Sequence, residues 1–230
     1  GINTWQSNPA NLDLYTQHRA EGGGLHYISL AHDDPQMPDV IERILKSGAI
    51  AIAHHGEFTD QLYKEGRLDA VRAFLERTRA SIQAAGVERP ILLGVSTHMP
   101  AVVTAIEEAG WEVDFYMTCA YERHRTRDEL KALLGYVPVP VREVYLEEDP
   151  PRMYAAMRAT PRPCLAFKIL AAGRLCDRQE TVEAAFAEAL RQIKPNDGLI
   201  VGLYPEFEDQ VRMDADYVRR YSATSRKSTA

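Results

Sequence analysis

Long apolar runs are missing from this chain of 230 residues: the strongest, Gly48 to Ala53 and Leu199 to Leu203, fall far short of a bilayer-spanning helix, which needs about 20 residues. A soluble, cytoplasmic protein is the expectation, although the sequence starts at Gly1 without a methionine and a targeting segment ahead of it stays open. Cysteine is scarce. Cys119, Cys164 and Cys176 are an odd number at no zinc-type spacing, which speaks against a disulfide framework. Basic excess is absent too, since 27 Lys and Arg face 33 Asp and Glu for a net charge of −6. Without a global positive field, a general nucleic-acid binder and an anionic-membrane binder are both disfavoured. What the chain has is the composition of an ordinary folded domain, 45% hydrophobic and 26% charged.

Short apolar runs alternate with amphipathic segments that end near Gly or Pro, the signature of strand-then-helix units. Seven runs read as strands: Gly1 to Trp5, Leu25 to Ala31, Ala49 to Ala53, Ile91 to Val95, Val113 to Cys119, Cys164 to Leu170 and Leu199 to Leu203. Between them, Val182, Ala185, Phe186, Ala189, Leu190 and Ile193 form one helical stripe, as do Val71, Phe74, Leu75 and Ile82 before Gly86, and Val102, Val103 and Ile106 before Gly110. Seven such repeats point to an α/β fold with a parallel sheet, a (β/α)8 TIM barrel short of its first strand, with an open doubly wound sheet as the alternative. One domain over residues 1–221 is expected, with an excursion at Tyr136 to Asp149 and an unstructured tail from Ser222 to Ala230.

In a parallel barrel, reactive groups belong at the carboxyl ends of the strands, and the polar residues gather there. His32, Asp33 and Asp34 follow the second strand, His54, His55 and Glu57 the third, and Ser96 and His98 end the fourth. Alternation puts Ala51, Ala53 and His55 on one face of their strand and Gly94, Ser96 and His98 on one face of theirs, which makes His55 and His98 the inward pair, while His54 faces the helices or the loop. With His32 and a carboxylate from Glu57 or Glu206, they are candidate ligands of a zinc-like divalent ion, or else acid–base groups. Lys168, in an apolar strand, is a candidate amine nucleophile or base, against the favoured reading of a buried lysine–carboxylate pair. Ser96, Tyr121, Arg174 and Tyr204 are candidate substrate contacts. The charged run Glu122 to Asp128 reads as a solvated loop in which Arg123, His124 or Arg125 offers an anion contact, Asp149 as the N-cap of a helix opened by Pro150, and Cys119 as a small buried hydrophobe.

The order of motifs resembles the aldo/keto reductase superfamily. Gly1-Ile2-Asn3-Thr4-Trp5, Ala53-His54-His55-Gly56, Gly94-Val95-Ser96-Thr97-His98, Lys168-Ile169-Leu170-Ala171-Ala172-Gly173-Arg174 and Leu199-Ile200-Val201-Gly202 are similar to that family's second, fourth, fifth, seventh and eighth strand ends. The resemblance implies a barrel whose first strand lies ahead of Gly1 and a catalytic set of Asp, Tyr, Lys and His working with a nicotinamide. Only the His has a counterpart, His55: Gln6 stands at the Asp position, Asn11 near the Tyr position, and Leu25 to Asp34 carries no lysine. Tyr204 to Asp209, where the family binds the cofactor phosphate, carries three carboxylates that repel a 2′-phosphate. The expectation is therefore a divergent aldo/keto reductase-like enzyme acting on a small polar, carbonyl or sugar-like substrate, with a divalent metal at the carboxyl end of the barrel. Metal-assisted hydrolase, lyase or isomerase chemistry stands ahead of NADP-dependent reduction, and a non-catalytic binding barrel is the remaining alternative. A small molecule is the expected partner, and oligomeric state is not legible.

Overall fold

Each of the seven apolar runs becomes a strand in the computed structural model, which describes residues 1–139 and 143–227, with the backbone alone from 223 on. In order come β1 (Thr4–Ser7), α1 (Leu12–Ala20), β2 (His26–Ala31), α2 (Val40–Ser47), β3 (Ala51–His54), α3 (Gly56–Lys64), α4 (Asp69–Ala84) and β4 (Leu92–Thr97). Then follow α5 (Pro100–Glu108), β5 (Phe115–Cys119), α6 (Arg127–Leu134), α7 (Asp149–Ala159), β6 (Cys164–Phe167), α8 (Gln179–Gln192), β7 (Gly198–Ile200) and α9 (Gln210–Lys227).

All neighbours are parallel and lie in sequence order from β1 to β7. A doubly wound sheet reverses its strand order partway; this one never does, so every crossover runs the same way and the sheet curls into a nearly closed barrel. Two separate apolar clusters mark its faces. The larger joins Tyr27, Ile52, Val95 and Tyr116 of the strands to Ile44, Phe74, Ile106 and Phe186 of the helices. The smaller fills the interior with Ile28, Ala51, Ala53, Phe115 and Met117. Alternation along each strand thus sends every second side chain inward. Gly94 belongs to the inner set, and only a residue without a side chain fits there: a Cβ would stand 2.6 Å from Phe115 Cε1 and 2.7 Å from its carbonyl oxygen.

Local chemistry explains where the helices stop. Gly86 and Gly110, which follow the expected helical stripes, have φ of +60° and +64°, and Gly48 after α2 has φ of +88°. Other expectations change. Asp149 does not cap α7; Glu148 occupies that position, and the Asp149 carboxylate is held by Arg125 instead. Lys168 is not inside β6, which ends at Phe167, and it adopts a left-handed φ of +58°. Within the expected excursion, residues 140–142 lie outside the described residues, as do 228–230 of the expected tail, whose earlier part belongs to α9. Among the described residues no helix is long and apolar enough to cross a membrane.

His54 faces the helices, as alternation requires: it is buried, its Nδ1 lies 2.7 Å from Thr59 Oγ1, and its ring meets Phe74 edge-on. Burial pushes its pKa down to about 4. An unfolded histidine titrates near 6.5, so the unfolded chain binds the extra proton between these values. His54 therefore contributes nothing adverse above pH 6.5 and costs up to about 3 kcal/mol as the pH falls toward 4. Asp214, raised by burial to about 6, opposes it by favouring the folded state as it protonates. Chemical denaturation at pH 7 and pH 5 should show a smaller acid-induced loss in His54→Gln than in the parent; equal losses would refute the assignment.

Candidate functional site

Gly56, Thr59, Asp60 and Tyr63 share one face of α3 at helical spacing, and this face packs against β4. The absence of a side chain at Gly56 permits the approach, since a Cβ there would lie 2.9 Å from Ser96 Oγ and 3.2 Å from His98 Cε1. Asp60 is thereby carried, fully buried, to the carboxyl end of β4. Its Oδ1 accepts from Thr97 Oγ1 at 2.5 Å, and its Oδ2 accepts from the His98 backbone N–H at 3.1 Å and from His98 Nδ1 at 2.7 Å. A carboxylate removed from water is stable there because charge-assisted hydrogen bonds replace its hydration.

This arrangement sets the tautomer of His98. With Nδ1–H donated to Asp60, the ring keeps its lone pair on Nε2, and Nε2 faces Arg123 Nη1, a donor, at 3.4 Å. Phe167 at the end of β6 meets the His98 ring edge-on at 5.4 Å between centroids. His124, in the segment after β5, stands across the ring at 5.0 Å, with its Nε2 3.9 Å from Asp60 Oδ2. Its pKa is lowered, mainly by burial and then by His98. Asp60, His98 and His124 form the one group of potential metal ligands among the described residues, with ligand atoms within 4.8 Å of one another.

Cations surround this centre. Arg123 binds Glu143, which also accepts from Tyr145 Oη at 2.6 Å. Lys168 Nζ has no hydrogen-bond or ion-pair partner among the described residues, so the expected lysine–carboxylate pair is absent there; burial, then Arg123, lowers its pKa. Arg174 lies over the Tyr145 ring at 4.1 Å and donates to the Ala171 carbonyl. His124, Lys168, Ala171 and Ala172 all have positive φ, and non-glycine residues held there at about 1–3 kcal/mol each concentrate at functional sites. Next to the centre lies a cavity of about 240 Å³ lined by Arg123, His124 and Glu143 among others. A larger one of about 1090 Å³ runs outside the barrel between α2 and α4, lined by Met37, Ile41, Leu45 and Phe74. It also reaches His32, Asp33 and Asp34 after β2, but among the described residues no group of potential metal ligands converges there.

The other expected residues divide between two neighbourhoods. Ser96 is buried against Gly56 beside His98, and Tyr121 is buried edge-on to Tyr145, 5.1 Å away. On the other side His32 stacks on Phe58 at 3.6 Å and faces His55 at 5.9 Å, both histidines with pKa values lowered by burial. His55 caps α3, its Nδ1 accepting from the Glu57 N–H, and Glu57 is exposed. Tyr204 and Glu206 are exposed and bonded to each other after β7. Of the five expected metal ligands, His98 alone belongs to the converging group. Cys119 is buried, with its thiol pushed up to about 11, as suits a packing role. The charged run 122–128 is partly buried rather than solvated: the Arg125 side chain is 8% exposed and the Asp149 side chain it binds is 1% exposed. Asp60 is the member that strand-based reasoning passes over, although its helical spacing from Gly56 and Thr59 marks the buried face.

Glu206, Glu208 and Asp209 are all exposed after β7, so the residues present there do not fit a 2′-phosphate. No family model matches this chain, and no curated protein matches it. The aldo/keto reductase resemblance thus rests on its five short motifs. Among solved structures the chain is similar to FabK from Thermotoga maritima, at 12% identity and a TM-score of 0.40 over 84% of this chain and 46% of that one. A point variant of FabK gives 12% identity and a TM-score of 0.39 over 85% and 49%. The chain spans about half the length of these structures, and likeness at this level carries no argument about activity.

Proposed function

We propose that this protein is a barrel enzyme that moves a proton on a small polar carbonyl or sugar-like substrate, with His98 Nε2 as the base and Asp60 as the group that orients it. The observation that carries this reading is the 2.7 Å bond from His98 Nδ1 to a fully buried carboxylate, which leaves Nε2 as the acceptor at the mouth of the barrel. A positioned imidazole of this kind contributes about 10²–10⁴ in rate. His124, 5.0 Å from His98 between ring centroids, is the candidate second proton carrier. Lyase or isomerase chemistry starting with removal of a proton beside a carbonyl suits such a pair.

A second reading has one observation in its favour, the convergence of Asp60, His98 and His124 within 4.8 Å, which suits a divalent ion. That ion would have to replace the hydrogen bond between His98 and Asp60 and lie near the Arg123 cation, so acid–base chemistry ranks first. Proton NMR of a panel of small hydroxy and keto compounds in heavy water tests both. The parent should catalyse exchange of a carbon-bound proton in the presence of a chelator, and His98→Gln should lose at least about 100-fold of that rate. Exchange abolished by the chelator would favour the metal, and full exchange by the variant would remove His98 as the base. Absence of exchange across the panel would favour a binding barrel.

A further inference from the structure

We propose that Lys168, Arg174 and Arg123 form an oxyanion subsite at the mouth of the barrel, which takes a doubly charged phosphate monoester or dicarboxylate group of a small substrate. This rests on the reading of the mouth as the reaction site and names the class of compound that enters it.

Two of the cations that the chain withdraws from water are neutralised by carboxylates. Arg125 is paired with Asp149 and Glu122, and Lys194 with Asp197 at 3.0 Å. The cations at the end of β6 are placed differently from these two. Lys168 is half-buried and keeps all three donors unused among the described residues. Arg174 has an aromatic face and a backbone carbonyl, but no carboxylate among the described residues. Arg123 spends one end of its guanidinium on Glu143 and turns Nη1 to His98 Nε2 at 3.4 Å, while its Nε is buried without a hydrogen-bond partner among the described residues. A buried donor left unpaired costs about 1–3 kcal/mol, and gathering like charges in a partly dry mouth adds to that cost.

An oxyanion suits these vacancies, because it accepts from several donors at once and supplies negative charge, and Arg174 and Arg123 meet around Tyr145, the first over its ring at 4.1 Å and the second on Glu143, which accepts from Tyr145 Oη. Among the described residues Lys168 and Arg174 have no carboxylate, so a dianion matches their two formal charges. The left-handed backbone at Lys168, followed by positive φ at Ala171 and Ala172, holds this lysine in a conformation that an unconstrained residue would leave. Strain kept beside unpaired cations is what a binding subsite needs, because the donors are then ordered before the ligand arrives.

Calorimetric titration of the full chain with inorganic phosphate and, separately, with malonate reads this without any turnover. Saturable binding at millimolar concentration is expected for at least one of them, and the better ligand tells a phosphate site from a dicarboxylate site. Lys168→Met should weaken that binding about tenfold to a hundredfold, while Lys131→Met, on the exposed side of α6, should leave it intact. Arg174→Gln should weaken binding in the same range and serves if Lys168→Met does not fold. Failure of both anions to bind at tens of millimolar, or parent-like binding by both Lys168→Met and Arg174→Gln, would overturn the subsite. Because binding is read here and proton exchange in the test of His98, loss of one result leaves the other standing.

Discussion

Asp60→Asn is expected to lower the proton-exchange rate by about 10³-fold or more while leaving the barrel folded. Asparagine has nearly the same shape, but one oxygen of the carboxylate becomes an NH2 donor. Three donors point at Asp60: Thr97 Oγ1, the His98 backbone N–H and His98 Nδ1. With the amide oxygen turned to the first two, the new NH2 faces His98 Nδ1, which must then accept. The proton moves to Nε2, where it meets Arg123, itself a donor, at 3.4 Å. His98 thus loses its lone pair at the mouth, and one buried donor contact is left imperfect, costing about 1–3 kcal/mol of stability. Nitrogen-15 chemical shifts of the histidine ring report the tautomer directly. Exchange within tenfold of the parent, or an unchanged tautomer, would refute Asp60 as the orienting group.

The largest stability effect is expected from Arg125→Met. Arg125 holds Asp149 through two bonds, Nη2 to Oδ1 at 2.5 Å and Nη1 to Oδ2 at 3.1 Å, with side chains 8% and 1% exposed. Removing the cation leaves Asp149, among the described residues, with Arg152 alone at 3.5 Å. Breaking one half of such a pair costs about 3–5 kcal/mol, or about 10 °C in midpoint for a chain of this size. The companion Arg125→Met, Asp149→Leu should recover most of the loss, since two apolar side chains of similar volume no longer bury an uncompensated charge. A double variant no more stable than Arg125→Met would mean that the pair is dispensable and packing alone matters. The same bonds tie residues 122–125 to the start of α7, so the single variant should also loosen Arg123 and His124 and weaken anion binding.

Strand number, order of elements and the carboxyl-end location of the polar groups were legible because they depend on the period of apolar residues, a local property of the chain. The outward turn of His54 and the inward turn of Gly94 and Ser96 followed from alternation alone. His98 was reached the same way. Its partner was not, because Asp60 comes from a helix 38 positions earlier in the chain, and no spacing rule links a helix face to the end of a neighbouring strand. Helix-face periodicity would have found the buried side of α3; it would not have found what that side touches.

The sequence by itself determined a parallel α/β sheet, the helix ends at Gly48, Gly86 and Gly110, and a set of strand-end histidines. The tertiary structure decided which histidines meet. It put His32 and His55 against Phe58 and carried His124 across to His98 through the Arg125–Asp149 anchor. It also decided that Lys168 stands without a carboxylate among the described residues, which its apolar neighbours in sequence did not indicate. The reason is physical: secondary structure follows from near-neighbour periodicity and backbone sterics, whereas the pairing of charges depends on contacts across the barrel, which exist only after the sheet has curled and the helices have packed on it.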